Sequence, residues 1–502
     1  MRRLRWAVSW AIEILAAAVV LRWLVIRLRR VLLLPTGDAT PRITADQVAP
    51  RMRRLIVSDL HMGGGDRLDD FEADAELVAF IYSYAMHAEP TELILAGDTF
   101  EFLQVRLPGL GDFEWSGAAA ERRLRTILTA HAKVIAALRD FVAQPANQLT
   151  LLIGNHDFEL HYTTAKALLY EALGLNAGDM RLRFGISYEG GGVYLEHGNQ
   201  FDDWNRFVHF EGISEPFEVV RGTRVVKDVI NPLEDDPLEV APLIDNVKPT
   251  SAFFWYMLSL PRLRQPASRR YVVRGLLRLF RSVALPRAYH WRPLLAVREE
   301  LLGAPGQTLQ RELALRAVYE LDPELREAAA ANHGGVAPEV QIRRRDVRRT
   351  AALAQVFARR FLREREPSEQ ALERIEREAK RQLRQEIREF KGALLRGMAR
   401  IAAGPEHSHN TLFVCGHTHL AAVVALSERR TYVNTGTWTT IVQDIGSNRR
   451  QDQRFPFLEV WYPDGSDIPQ GQLLVWQGPE HPPNPWVAPL EDEDDVKFED
   501  RR

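Results

Sequence analysis

A chain of 502 residues, 46% hydrophobic and 26% charged, has the composition of a folded protein and excludes a disordered or collagen-like one. Its formal net charge of -2 gives no global field of the kind that draws in nucleic acid. One cysteine, Cys415, excludes an intrachain disulfide and fits a reducing compartment.

In chain order, residues 1–50 are dominated by "WAVSWAIEILAAAVVLRWLVI" at 6–26, apolar except for Ser9, Glu13 and Arg22 and flanked by arginines. That length can span a bilayer. Glu13 near its middle costs about 2 to 3 kcal/mol there. Glu13 and Arg22 fall on opposite helix faces, so the stretch is not a clean amphipathic helix either. No small-residue cleavage site follows it. The expectation is a membrane-associating helix and linker, spanning or interfacial, with the rest of the chain on the cytoplasmic side. The flanking arginines balance, so orientation cannot be read from them.

From residue 51 short apolar runs alternate with polar clusters: "LIVSDLH" (55–61), "LILAGDTF" (93–100), "LTLLIGNHD" (149–157), "VYLEHGN" (193–199), "TLFVCGHTH" (411–419) and "TYVNTGTW" (431–438). Each run reads as a strand buried on both faces. "AAAERRLRTILTAHAKVIAALRDFV" (118–142) has helix-period apolar residues, so the pattern is a layered α/β domain. The polar clusters all follow their strands, at the carboxyl ends where open α/β sheets bind ligands. Residues 51–210 and 405–480 are therefore read as two parts of one core.

Between them, 211–404 reads as a helical insertion. "RRYVVRGLLRLFRSVAL" (269–285) carries a stripe of Arg270, Arg274, Arg278 and Arg281. "SEQALERIEREAKRQLRQEIREFKGALL" (368–395) puts Leu372, Ile375, Ala379, Leu383, Ile387, Phe390 and Leu394 on one face. No basic groove interleaved with aromatics is present, and the arginines after 363 are matched by glutamates, so no nucleic-acid partner is expected. Residues 481–502 form an acidic tail.

The strand ends present Asp59, His61, Asp98, Asn155, His156, His197, His417 and His419. Mixed imidazole and carboxylate donors suit Zn, Fe or Mn rather than Mg or Ca. The donors exceed what one tetrahedral site uses, whereas two ions sharing a carboxylate would use them. Such a pair polarises a phosphoryl group and makes hydroxide nucleophilic at neutral pH.

"SDLH", "GDTF", "GNHD", "EHG" and "GHTH", in this order, resemble the five blocks of the calcineurin-like metallophosphoesterases. The resemblance covers about 51–210 and 405–445. It implies a four-layer α-β-β-α sandwich, here with a large helical insertion and the N-terminal hydrophobic helix, and a phosphate-ester substrate. It further implies two divalent or transition-metal ions, with Mn favoured over Zn or Fe. By motif, Asp59, His61 and His419 would hold one ion and Asn155, His197 and His417 the other, with Asp98 bridging. His156 would contact the phosphoryl oxygen or protonate the leaving group, held in place by Asp157. "SDLHMGGG", "GDTFEF" and "GNHDFEL" are also similar to the bacterial UDP-2,3-diacylglucosamine hydrolases, which implies a lipid-linked nucleotide substrate at a membrane. The insertion is several times longer than theirs, and "HGNQFDDWN" does not match them residue by residue. The alternatives are a soluble small-molecule or protein phosphatase of the same superfamily, or a non-catalytic membrane scaffold. Whether Asp202 or Asp203 touches substrate or caps a turn stays open.

Overall fold

The computed structural model describes residues 34–85, 89–234, 387–440 and 455–488. The stretch at 6–26, the arginine stripe at 269–285, most of 368–395 and residues 489–502 of the acidic tail lie outside them. No helix among the described residues is long and apolar enough to cross a membrane. Apart from Leu34, the described residues belong to one compact unit, Pro35–Val283 with Glu378–Arg502.

The predicted strands build two sheets. In the larger, β2 (Arg53–Val57), β3 (Thr91–Ala96), β4 (Gln148–Leu152) and β5 (Leu182–Gly185) run parallel. The antiparallel strands β12 (Pro456–Trp461), β13 (Gln470–Val475) and β14 (Asn484–Pro485) extend it beyond β2 to seven strands. The smaller sheet has β7 (Val193–Glu196), β9 (Leu412–Cys415) and β11 (Arg430–Asn434) in parallel. The antiparallel strands β6 (Ser187–Gly190) and β10 (Ala422–Ser427) form its edges.

Alternation along the central strands explains why their sequences are apolar throughout. Leu55, Val57, Leu93, Leu95, Leu149 and Leu151 join a core with the helices α1 (Asp74–Ala85), α2 (Gly117–Ala130), α3 (Ala132–Ala143) and α4 (Thr163–Ala172). Their neighbours Ile56, Ile94, Ala96 and Leu152 pack instead against Val193, Leu195, Val414 and Val433 of the smaller sheet. That sheet's outer face, through Tyr194, Phe413, Cys415 and Tyr432, is covered by a helix from 387 to 403, α5. Phe390 and Leu394 of the predicted apolar stripe are buried there with Met398 and Ala402. The described residues thus stack as helices, sheet, sheet and helix, with a core between each pair of layers.

Two details depart from the sequence reading. The helix expected over 118–142 divides at His131, whose backbone leaves helical angles (φ -103, ψ 36). Its ring is held by carboxylates on both sides, Nδ1 at 2.9 Å from Asp74 and Nε2 at 3.0 Å from Asp69. Asp69 in turn accepts the N–H groups of Gly63 and Gly65, which ties the loop after His61 to this break. The second departure is at 211–234, the start of the expected insertion, which packs on the core. β8 (Gly212–Glu215) pairs in a small sheet with β1 (Leu34–Ala39), and Ile213 and Val220 join the main core.

Buried His161 carries a pH prediction for this core. Burial, aided by the charge of Lys166, lowers its pKa from 6.5 to about 3. The neutral ring is the form that fits the fold, packed against Phe158 and Phe210. Below pH 6.5 the unfolded chain takes up a proton that the folded chain refuses. Stability is therefore lost as pH falls from 6.5 toward 3, at up to about 1.4 kcal/mol per pH unit. Between pH 7 and pH 5 the wild type should lose about 2 kcal/mol more than His161→Leu in urea unfolding. An equal loss in both proteins would mean that the folded ring accepts the proton.

Candidate metal centre

The expected ligands converge from both sheets. Asp59 and His61 follow β2, Asp98 follows β3 and Asn155 follows β4, whereas His197 follows β7 and His417 and His419 follow β9. All seven are buried. The backbone at these strand ends is unusual. Six non-glycine residues among the described ones have positive φ, and five are Asp59 (53°), His61 (51°), Asp98 (50°), His417 (66°) and His419 (60°). Left-handed backbone costs a side-chain-bearing residue about 1 to 3 kcal/mol, and such strain persists where a functional geometry over-determines it. These five residues lie just after β2, β3 and β9.

Three groups form there among the described residues, one of them His61 with Glu101 and His156. Asp59, His61 and His419 offer ligand atoms within 4.8 Å of one another, and so do Asp98, His197 and His417. In the first, the Nε2 atoms of His61 and His419 face each other at 3.0 Å, and Asp59 Oδ1 lies 3.4 Å from His419 Nε2. In the second, His197 Nε2 lies 3.0 Å from Asp98 Oδ2. The same Asp98 oxygen is 3.8 Å from His61 Nε2, so it stands between the groups. Burial pulls the His197 pKa down, but the adjacent Asp98 charge outweighs it and raises the pKa to about 9. Asp98 is correspondingly held well below the usual carboxylate range despite its burial. A cation entering here would take the place of that proton.

Glycines make the convergence possible. A Cβ on Gly154 would sit 2.1 Å from Asp98 Oδ1, and one on Gly97 would sit 2.5 Å from His197 Nδ1. Gly154 therefore clears space for the Asp98 carboxylate.

His156 is held differently from the expectation. Its Nδ1 lies 2.5 Å from Glu101 Oε2, and the same oxygen is 2.8 Å from His61 Nδ1. Glu101 is buried, which favours its neutral form, yet the charges of His156 and His61 and their hydrogen bonds lower its pKa to about 2. Asp157, expected to orient His156, accepts instead from the backbone N–H groups of Gly154 (2.7 Å) and Thr99 (2.8 Å). Asp157 thereby fastens the β3 and β4 loops together, and Glu101 holds Nδ1 of the His156 ring. Burial and the neighbouring Asp98 charge raise the Asp157 pKa to about 7. Glu101 lies within "GDTFEF", but nothing in the sequence says that residue 101 reaches residues 61 and 156.

Other residues complete the frame. Ser58 Oγ donates to Asp59 Oδ2 (2.5 Å), and the Asp59 carboxylate accepts from the His417 N–H (2.9 Å). Thr437 Oγ1 donates to the Asp59 carbonyl (2.5 Å), so the "TGTW" run secures the first strand end. Asp202 caps its turn by accepting from Trp204 N (3.0 Å) and also contacts His417 Nε2 at 3.2 Å.

These residues fit a pair of divalent ions. Asn155 Oδ1 is buried with no hydrogen-bond partner among the described residues, a state a protein side chain rarely keeps without a ligand. Facing imidazole nitrogens around a carboxylate are poor company for each other and good company for a cation. His61, His197 and His417 each have one ring nitrogen held by a protein acceptor, which leaves the other for an ion.

Residues 52–241 match the model of a family described as calcineurin-like phosphoesterase. Among curated proteins, none matches the chain. Among solved structures, the chain is similar to a dimetal phosphatase from Danio rerio, at 12% identity and a TM-score of 0.28. That alignment covers 86% of this chain and 100% of the other.

Proposed function

We propose that this chain, which belongs to the calcineurin-like metallophosphoesterases and is a hydrolase of phosphoester bonds, divides its ligands between two divalent ions and acts on a substrate at a membrane surface. Asp59, His61 and His419 would hold one ion, Asn155, His197 and His417 the other, and Asp98 would bridge them. The observation that carries this division is the position of Asp98 Oδ2, 3.0 Å from His197 Nε2 and 3.8 Å from His61 Nε2. Two such ions, when bound, polarise the phosphoryl group and make a water-derived nucleophile available at neutral pH. The mixture of imidazole, carboxylate and amide donors favours Mn, with Zn or Fe as alternatives.

The chain's own residues supply the remaining steps. Asn155 is a neutral donor, so it adds no negative charge opposite an incoming phosphate. Glu101 takes up Nδ1 of His156, so proton exchange with a phosphoryl oxygen or the leaving group would run through Nε2. Burial of the whole ligand set strengthens each of these charge interactions.

A lipid-linked nucleotide or diphosphate is the substrate class we favour, handled by a membrane-attached chain whose catalytic domain faces the cytoplasm. Its support is the sequence at 6–26 and the arginine stripe beside apolar residues at 269–285. The test is Mn-dependent turnover by the full chain of soluble monoesters, soluble diesters and a nucleotide diphospholipid in mixed micelles. Turnover of the micellar substrate well above that of free nucleotides is expected. Turnover of soluble monoesters alone would rule out the lipid reading.

A further inference from the structure

We infer that Asp202 is a positioning residue that decides which nitrogen His417 presents to the metal centre, an inference that rests on the two-ion reading above. In three of the site's rings Nδ1 is the nitrogen held by the protein. His197 Nδ1 is bound to the Ala96 carbonyl at 3.0 Å, and His61 and His156 share Glu101. His417 is the reverse: its Nε2 is held, 3.2 Å from Asp202 Oδ2. An ionised carboxylate only accepts, so Nε2 carries the proton and the lone pair lies on Nδ1. His197 would therefore offer Nε2 to the second ion, whereas His417 would offer Nδ1.

Asp202 is built for that task. It is buried, and its oxygens are fixed by Trp204 N on Oδ1 (3.0 Å) and Asn205 Nδ2 on Oδ2 (2.7 Å). The ring it holds is wedged edge-on between His197 at 5.2 Å and Phe390 of α5 at 5.4 Å. Asp202 is not one of the Asp98, His197 and His417 group, so it acts through the ring. The segment "HGNQFDDWN" thus delivers one ligand, His197, and sets the tautomer of another.

The first readout needs no substitution at Asp202. Ring 15N–1H correlations of the metal-free full chain, with the His417 signals assigned by their loss in His417→Gln, should show the Nε2–H tautomer. Finding Nδ1–H would overturn the inference. The second readout is Mn(II) binding by equilibrium dialysis. Asp202→Ala should bind one ion as the wild type does and the other about 10- to 100-fold more weakly. Asp202→Asn, which keeps an acceptor oxygen, should recover part of that loss. Unchanged binding of both ions by Asp202→Ala would also overturn the role. A wild type that shows the Nε2–H tautomer but binds a single ion would count against the two-ion reading and leave the assignment of Asp202 supported.

Discussion

Asp98→Ala is expected to leave the chain with one ion or none and to lower kcat/KM by at least about 1,000-fold, the loss that follows when several kcal/mol of transition-state charge stabilisation disappear. The residue carries three connections at once. Its Oδ2 stands between the two histidine groups, its Oδ1 accepts the His156 N–H at 2.8 Å, and its charge holds His197 in place. Removing it separates the two ion sites and also frees the loop that bears Asn155 and His156. Elemental analysis of the purified variant, together with its thermal melting, reads the metal content and the integrity of the fold separately. Two ions at full occupancy in a folded variant would sink the bridging role.

The second large effect is expected at Glu101, a residue that is not itself a member of the Asp59 or Asp98 ligand groups. Glu101→Ala should lower kcat by about 100- to 10,000-fold, the range of a lost general acid–base contribution, because His156 loses the partner of its Nδ1. The same oxygen holds His61, so the variant should also bind its first ion more weakly. If Glu101 works through His156, the losses from Glu101→Ala and His156→Ala should not add, and the double variant should turn over about as slowly as the poorer single one. Steady-state kinetics at saturating Mn(II) checks this. Fully additive losses would show that the two residues act independently, and the contact between them would then be structural.

Much of the site is legible in the sequence, for a chemical reason. Metal ligation restricts residue type, and chance does not readily place Asp, His or Asn directly after a buried strand five times over. Asp59, His61, Asp98, Asn155, His197, His417 and His419 therefore stand out as candidate ligands from residue type and position alone. Strands β2, β3 and β4 are legible for the related reason that burial on both faces makes a strand apolar throughout. The helix at 118–142 is legible as periodicity but not as two helices, because the break depends on Asp69 and Asp74 meeting His131 from elsewhere in the chain.

The candidate donors, their order and their place at the carboxyl ends of strands can be read from residue types, because these follow from local chemistry and local periodicity. It takes the packed layers to show that these candidates come from two stacked sheets, that five of them sit in left-handed backbone, and that Gly154 makes room for the Asp98 carboxylate. The packing likewise brings Glu101 to His156, and Asp202 to His417 across 215 positions of sequence. The physical reason is range. A hydrogen bond selects one ring nitrogen only when its acceptor arrives within about 3 Å, and segments remote in sequence reach that distance only once the layers have packed.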